Sequence, residues 1–286
     1  MKIALKKSRY LPYSLCMMVF LLIGCMQVND MKSPCKPKDG EHQICYFPLR
    51  PAVDGNLDET AWRLAHWEQV DFEMSKDRYR PDDNDDASFR FACVADNDNL
   101  YFGFEVIDDK LSKVRSEGLD GGELEDNQYY QDDSLEIVMD QDTEALAKYD
   151  GNDFQIIFKP ESIGEDDFLS AVRLKVGGQA EDLAMKGRDT GSSGYSRRET
   201  HGWIAELAVP LDNVKGTKGW HVDLKDGRTI RFQTGYNDND GTDGRDHKIT
   251  WGKSDRNEDD SFRNPALLDE LELCQLPDSL IDAGIE

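Results

Sequence analysis

Oxygen donors are densest in two runs of the chain, Asn237-Asp238-Asn239-Asp240-Gly241-Thr242-Asp243 and Asp82-Asp83-Asn84-Asp85-Asp86. Carboxylates and amide carbonyls at this density are ligands for a hard cation such as calcium, which takes about six to eight oxygens. The first run departs from the EF-hand template. Counted from Asp238, position six is Asp243 rather than Gly, and position twelve is Ile249 rather than Glu. Asp238 and Asp240 are the candidate metal ligands, and the second run reads equally well as a solvated acidic turn. Two aromatics stand apart from the apolar patterning. Phe262 ends the acidic stretch Glu258-Asp259-Asp260-Ser261, where an exposed ring favours ligand contact, and Tyr130 precedes Asp132-Asp133-Ser134. Neither HExxH nor GxSxG occurs, which removes the commonest hydrolase signatures. Glycoside hydrolysis needs two carboxylates about 5–9.5 Å apart. With 58 Asp and Glu no pair is singled out, so no catalytic residue is expected.

The elements that would position these groups belong to a chain of 286 residues with 34 Lys and Arg against 58 Asp and Glu, a formal net charge of −24. That sign argues against nucleic acid, whose affinity comes from cations neutralising phosphates, and against anionic lipid surfaces. Lys2, Lys6, Lys7 and Arg9 precede an apolar stretch from Leu11 to Ile23. It is shorter than the ~20 residues a spanning helix needs and reads as a secretory signal. It ends Leu22-Ile23-Gly24-Cys25, which resembles a bacterial lipobox, so residues 1–24 are expected to be removed and Cys25 lipidated. Residues 25–44, with Pro and Lys around Cys35, read as a tether, residues 45–276 as one domain and 277–286 as a tail. Met26 is not Asp, so nothing marks inner-membrane retention, and a cell-envelope site on the outer membrane is expected. Cys35, Cys45, Cys93 and Cys274 can form two disulfides in an oxidising compartment. Sequence proximity favours Cys35–Cys45 with Cys93–Cys274, with the other pairings open. No CxxC is present for structural zinc.

Within 45–276 apolar residues alternate in short segments between Gly- and Asp-rich breaks. Ala87–Val94 puts Phe89, Phe91 and Cys93 on one face, and Asn99–Val106 puts Leu100, Phe102, Phe104 and Val106 on one face with Tyr101 and Glu105 opposite. Asp96-Asn97-Asp98-Asn99 between them reads as a hairpin turn. Segments 134–139, 154–158, 171–176, 203–209, 229–234, 248–251 and 271–273 continue the pattern. Asp58–Trp67 reads as one short helix capped by Asn56 or Asp58. The expectation is an all-β fold, an antiparallel β-sandwich of the immunoglobulin-like or jelly-roll kind with one short helix. Trp62, Trp203 and Trp251 are expected in the core. The outward faces carry Arg90, Glu105, Glu136, Gln155, Arg231 and Gln233, either as a solvated surface or as a polar binding face.

Several blocks together carry a resemblance. Pro51-Ala52-Val53-Asp54-Gly55-Asn56-Leu57-Asp58-Glu59-Thr60-Ala61-Trp62 is followed by Ala87-Ser88-Phe89-Arg90-Phe91, Asp98-Asn99-Leu100-Tyr101-Phe102 and Val106-Ile107-Asp108-Asp109. Tyr130-Gln131-Asp132-Asp133-Ser134-Leu135-Glu136-Ile137, Gly202-Trp203-Ile204-Ala205-Glu206, Gly235-Tyr236-Asn237-Asp238 and Phe262-Arg263-Asn264-Pro265 complete the order. Over residues 45–275 this resembles family 9 carbohydrate-binding modules. The resemblance implies a β-sandwich that holds a sugar ring between two aromatics, which fall on Tyr130 and Phe262. A pyranose offers an apolar C–H face to such rings, while its hydroxyls need directed polar partners. The resemblance places Glu136 as a hydroxyl acceptor, puts Gln155 where sugar-binding members carry Arg, and brings Asn237, Asp259 and Asp260 to the same end. It also implies calcium, with no organic cofactor.

The resulting expectation is non-catalytic binding of a glycan by a lipid-anchored protein, with catalysis supplied by a separate glycoside hydrolase. The competing reading is a heme-binding redox domain, because DOMON-type cytochrome domains and the heme subunit of ethylbenzene dehydrogenase resemble the same sandwich. Its candidate ligands are Met74, Met139, Met185, His66, His201, His221 and His247. Met139 alternates inward with Leu135 and Ile137 and reads as core.

Overall fold

The structure, a computed structural model, describes residues 42–75, 80–111, 129–141, 148–160, 167–176, 179–185, 193–199, 202–214, 217–241, 244–252 and 264–284. Cys25, Cys35, Asp259, Asp260 and Phe262 lie outside the described residues. In chain order the elements are β1 (His42–Phe47), α1 (Thr60–Leu64), β2 (Trp67–Val70), β3 (Ala87–Ala95), β4 (Asn99–Asp108), β5 (Ser134–Asp140), β6 (Asp153–Pro160), β7 (Asp167–Val176), β8 (Gln179–Met185), β9 (Ser193–Glu199), β10 (Gly202–Pro210), β11 (Thr229–Asp238), β12 (His247–Trp251), β13 (Asp269–Gln275) and α2 (Asp278–Gly284). A second short helix therefore joins the one expected, and β1 begins inside the span read as tether.

The strands run in the order β1-β13-β11-β5-β6-β7-β9-β10-β4-β3-β2, with β12 on β11 and β8 on β7. All pairings are antiparallel except those of β1, which lies parallel to both β13 and β3 and so links the first strand of the order to the strand next to its far end. The apolar faces of β3 and β4 meet those of β6, β11 and β12. Phe102 and Phe232 stack with centroids 5.3 Å apart, Phe104 lies 5.6 Å from Phe158, and Phe91 meets Trp251 edge-on at 5.5 Å. Each such side chain buried here contributes about 1.5–3 kcal/mol. The turn between β3 and β4 forms because the Asp96 carboxylate accepts from the N–H groups of Asp98 and Asn99 at 2.8 and 2.9 Å, an Asx turn.

A second apolar cluster covers the other face of β3 and β4. Trp62 of α1, Ile44 and Tyr46 of β1, and Leu276 pack on Val94 and Tyr101. Tyr101 thus faces away from the main core, as its alternation requires, and is still buried. The α1 N-cap is Glu59 rather than Asn56 or Asp58, and it makes no side-chain cap bond. What holds this segment is Glu206, which is fully buried on β10. Its carboxylate accepts from Asp54 N at 2.9 Å, Gly55 N at 2.7 Å and Trp62 Nε1 at 2.8 Å. Two glycines are required here. Gly55 has φ 85°, and a Cβ on Gly103 would meet Leu57 Cδ2 at 2.9 Å.

The disulfide expectation is corrected. Cys45 pairs with Cys93, because the parallel register sets them opposite one another with Cα atoms 4.6 Å apart. Cys274 is disulfide-bonded as well, to a partner outside the described residues. Proximity in sequence misled because the partner of Cys45 is set by the parallel pairing of β1 with β3, which sequence separation does not reveal. Closing the intervening loop of 48 residues stabilises by about 4 kcal/mol on the chain-entropy account.

The outward faces divide in two. On β3 and β4, Arg90 forms a two-pronged pair with Glu105, at 2.6 and 2.7 Å, and lies 4.7 Å above the Trp67 ring. This is a solvated face, and such a pair contributes less than about 1 kcal/mol. On β5, β6 and β11 the outward residues Glu136, Gln155 and Arg231 are buried. Arg231 is covered by the turn after Asn264, donating to the carbonyls of Pro265, Ala266 and Leu268.

Candidate carbohydrate-binding site

Strand alternation turns Leu135, Ile137 and Met139 of β5 into the core and leaves Glu136 on the opposite face. Three neighbours converge on its carboxylate. Gln155 Nε2, from β6, donates to Oε2 at 3.1 Å, Lys248 Nζ, from β12, donates to the same oxygen at 3.1 Å, and Asn237 Nδ2, from β11, donates to Oε1 at 2.7 Å. Both members of the Glu136–Lys248 pair are under a tenth exposed. The register explains the meeting. Glu136 pairs with Gly235, Asn237 lies two residues further along the same face, and Asn237 pairs with Lys248. A carboxylate has about four acceptor positions, and protein donors take three of them.

Tyr130 sits in the 3₁₀ turn Tyr129–Gln131 that feeds β5 and is half-buried. The Arg245 guanidinium lies 5.6 Å from its ring centroid and donates to Asn237 Oδ1 at 2.9 Å. Tyr130, Glu136, Gln155 and Asn237 are therefore linked through one network. The other ring and two acids of the expected site, Phe262, Asp259 and Asp260, lie outside the described residues. Lys248 and Arg245 were not legible as members. Lys248 looked like one outward residue of a short strand, and its partner depends on register. It supplies beside Gln155 a cationic donor that the resemblance assigned to an Arg at position 155.

One step along β11 the chemistry changes from neutral to acidic. Asp108 at the end of β4, Asp133 before β5 and Asp238 at the end of β11 are at most 2 % exposed and bring one carboxylate oxygen each within 4.8 Å of one another. Asp238 Oδ1 has no hydrogen-bond partner. Tyr236 donates its hydroxyl to Asp108 Oδ2, and Asn239 N donates to Asp133 Oδ1 at 2.7 Å. Burial, then the neighbouring Asp238, pushes the Asp108 carboxyl up to about 7. Burial likewise raises Asp238, against the hydrogen bond from His247. Buried like charges without a cation raise one another in this way, and an all-oxygen donor set with an unsatisfied carboxylate oxygen suits a hard divalent ion. Asp240, the other expected ligand, belongs to a neighbouring group with Asp86, Asp238 and His247. Asp108 and Asp133 escaped notice as metal candidates because they arrive from separate segments, whereas Asp86 ends the second acidic run and His247 was named only as a heme ligand.

Met139 is fully buried within the main core, as its alternation required, and Met74 packs at that core's edge. His221 pairs with Asp212 on the surface, and His247 Nδ1 lies 2.8 Å from Asp238 Oδ2. No helix among the described residues is long and apolar enough to cross a membrane.

The fold matches solved structures at low identity. A family 9 carbohydrate-binding module from Caldicellulosiruptor kristjanssonii in complex with cellotriose superposes with a TM-score of 0.59 at 17% identity, covering 83% of this chain and 96% of that one. The same organism's module in complex with glucose gives 0.57 at 17% identity, over 82% and 98%. No curated protein sequence matches. The profile described as "Carbohydrate family 9 binding domain-like" matches residues 53–276, a span that opens at the Asp54-Gly55 turn held by Glu206 and contains the whole Glu136 network and the acidic cluster beside it. The chain belongs to that family.

Proposed function

We propose that this chain is a non-catalytic carbohydrate-binding protein whose sugar site is the end of the sandwich formed by Tyr130, Asn237, Gln155 and the Glu136–Lys248 pair. The observation that carries the reading is the buried polar network on Glu136, built from three strands and ending at an aromatic ring. A saccharide needs both parts: a flat apolar platform for its C–H face and fixed donors and acceptors for its hydroxyls. Glu136 holds Asn237, Gln155 and Lys248 in fixed orientation, which lowers the ordering cost at binding. Phe262 is the second platform in this reading, with Asp259 and Asp260 at the rim. The cellotriose and glucose complexes of the Caldicellulosiruptor kristjanssonii modules with the same fold support a glucan as the first ligand to try.

Calcium belongs to the same proposal. Asp108, Asp133 and Asp238 hold it, and the ion supplies the positive charge that three buried carboxylates lack. It ties the ends of β4, β5 and β11 together beside Asn237. The signal-like residues 1–24 and the lipobox-like Cys25 support a proposed cell-envelope site on the outer membrane, where the protein would retain glycan for a separate glycoside hydrolase.

The test is affinity electrophoresis of the mature chain through gels containing different polysaccharides, with calcium and again with chelator. Retardation by at least one glycan is expected, weakened when calcium is removed. Unretarded migration on every glycan in calcium would overturn the sugar reading, and identical retardation with chelator would overturn the coupling to calcium.

A further inference from the structure

Gly235 sits in the interior of β11, where a glycine weakens a strand by about 0.5–1 kcal/mol relative to alanine and gives nothing to pack. Its φ is not positive, so the backbone conformation does not call for glycine. The space above it does. A Cβ at this position would meet Ile249 O at 3.0 Å, Thr250 Oγ1 at 3.2 Å and Lys248 Cε at 3.6 Å. The first two contacts are tighter than side-chain carbons ordinarily make, and one is to backbone, which cannot rotate away. The third is to the stem of Lys248 itself. β12 and β5 flank β11 on opposite sides, so Lys248 and Glu136 start two strand spacings apart, about 10 Å. The ammonium still comes within 3.1 Å of Glu136 Oε2, so the stem passes over β11. The register fixes where. Lys248 starts opposite Asn237, Glu136 starts opposite Gly235, and the line between them crosses the bare backbone at 235. The next outward position along β11 is filled by Asn237, which itself donates to Glu136 Oε1.

We infer that Gly235 is a positioning residue of the proposed sugar site: by carrying no side chain it opens the crossing through which Lys248 reaches Glu136, and so sets a cationic donor beside Gln155. Lys248 Nζ and Gln155 Nε2 share one oxygen of Glu136, so the two donors hold a fixed relation to each other only while the crossing stays open. Closing it leaves Glu136 with two neutral donors and a buried charge without compensation, the state that removing the lysine charge creates. The role in ligand binding rests on the sugar reading, whereas the role in placing Lys248 rests on the register alone. Valine is the telling replacement. It is favoured in strands, so any loss it causes at 235 runs against propensity and reports the filled crossing.

The experiment uses the mature chain with isotope-labelled lysine nitrogen. An ammonium held out of water in an ion pair exchanges its protons slowly enough to give an N–H signal by NMR, and a solvated ammonium does not. Wild type should show such a signal, and its loss in Lys248→Met assigns it. Gly235→Val should lose the same signal while keeping the wild-type strand circular dichroism, and Gly235→Ala is the variant to read if valine unfolds the chain. Affinity for the glycan retained in gels should fall about tenfold or more in Gly235→Val, to within about threefold of Lys248→Met. Adding Gly235→Val to Lys248→Met should then change affinity by less than about twofold. The ammonium signal retained in the folded Gly235 variant overturns the inference, and so does a wild type without that signal, because the lysine would not then be held across β11. An equal loss of affinity from Gly235→Val with and without Lys248 also overturns it, because the glycine would then act on the strand and not on the crossing. A wild type that binds no glycan overturns the sugar reading alone, and the ammonium signal still decides whether Gly235 places Lys248.

Discussion

Glu206→Ala is expected to destabilise the domain by roughly 3–5 kcal/mol, a large part of the ~5–15 kcal/mol that holds a typical domain folded. Three N–H donors lose their acceptor at once: Asp54 N, Gly55 N and Trp62 Nε1. Each buried donor left unpaired costs about 1–3 kcal/mol, and the small side chain adds a cavity beneath Trp62. Glu206→Gln keeps the volume but points an amide N–H₂ at one of the donors, so it should cost less than Ala and still more than 1 kcal/mol or so. The pair of variants also isolates a pH effect. Burial raises the Glu206 carboxyl from 4.5 to about 7, against the pull of the N–H groups of Gly55 and Asp54. The folded state therefore holds this proton more tightly than the unfolded chain. The associated stability is fully present below about pH 4.5 and is lost as pH rises through about 7, a span on the order of 2–3 kcal/mol. Urea unfolding at pH 5 and pH 8 should show a steeper fall in wild type than in Glu206→Gln. Equal slopes, or a Glu206→Ala protein as stable as wild type, would refute the latch.

Lys248→Met should cost both stability and binding. The methionine fills the space of the aliphatic stem, so the change is chiefly the loss of a cation beside Glu136. Removing one partner of a buried pair typically costs about 3–5 kcal/mol, because the remaining charge is left without compensation. Two neutral donors, Gln155 and Asn237, stay on the carboxylate and should hold the loss toward the lower end of that range. Adding Glu136→Gln to Lys248→Met removes the stranded charge and should recover about 2 kcal/mol of folding stability. It should not recover glycan binding, since the network then presents a neutral edge with altered donor and acceptor order. Chemical denaturation and glycan titration on the three proteins separate the two effects. Restored binding in the double variant would mean that the Glu136–Lys248 charges are only structural.

The sandwich was legible where one face is buried and the other is not. β3, β4, β5, β10 and β11 each alternate large apolar residues with polar ones, and the hairpin at Asp96 carries its own turn chemistry. The first residues of β1, 42–44, fall in the span read as tether because the strand is buried on both sides, Gln43 included, so His42–Phe47 shows no alternation to read. β8 and β9, with sequences QAEDLAM and SGYSRRE, carry too little apolar material to announce themselves as strands. The helix at α1 was visible, but its anchor was not, because Glu206 lies more than 140 residues away from Trp62. The same limit governed the site. Tyr130, Glu136 and Asn237 emerged from a resemblance of local blocks, each contiguous in sequence. Lys248 on Glu136 and His247 on Asp238 exist only through the register of β11 against β12. The disulfide failed for that reason too, since the parallel pairing of β1 with β3 leaves no local trace.

In the proposed function Tyr130 is a platform for a sugar ring and not merely a lid on a strand end or a rest for Arg245. One face of an aromatic ring covers about half of the ~150–250 Å² it buries in full, which at about 25 cal/mol per Å² is roughly 2–3 kcal/mol of binding. Calorimetric titration of wild type and Tyr130→Ala with an oligosaccharide of the glycan retained in gels reads this directly, with the melting temperature measured on the same samples. A fall in affinity of about 30-fold or more with the melting temperature within ~2 °C of wild type is the predicted result. Unchanged affinity in Tyr130→Ala, with only the melting temperature lowered, would contradict it.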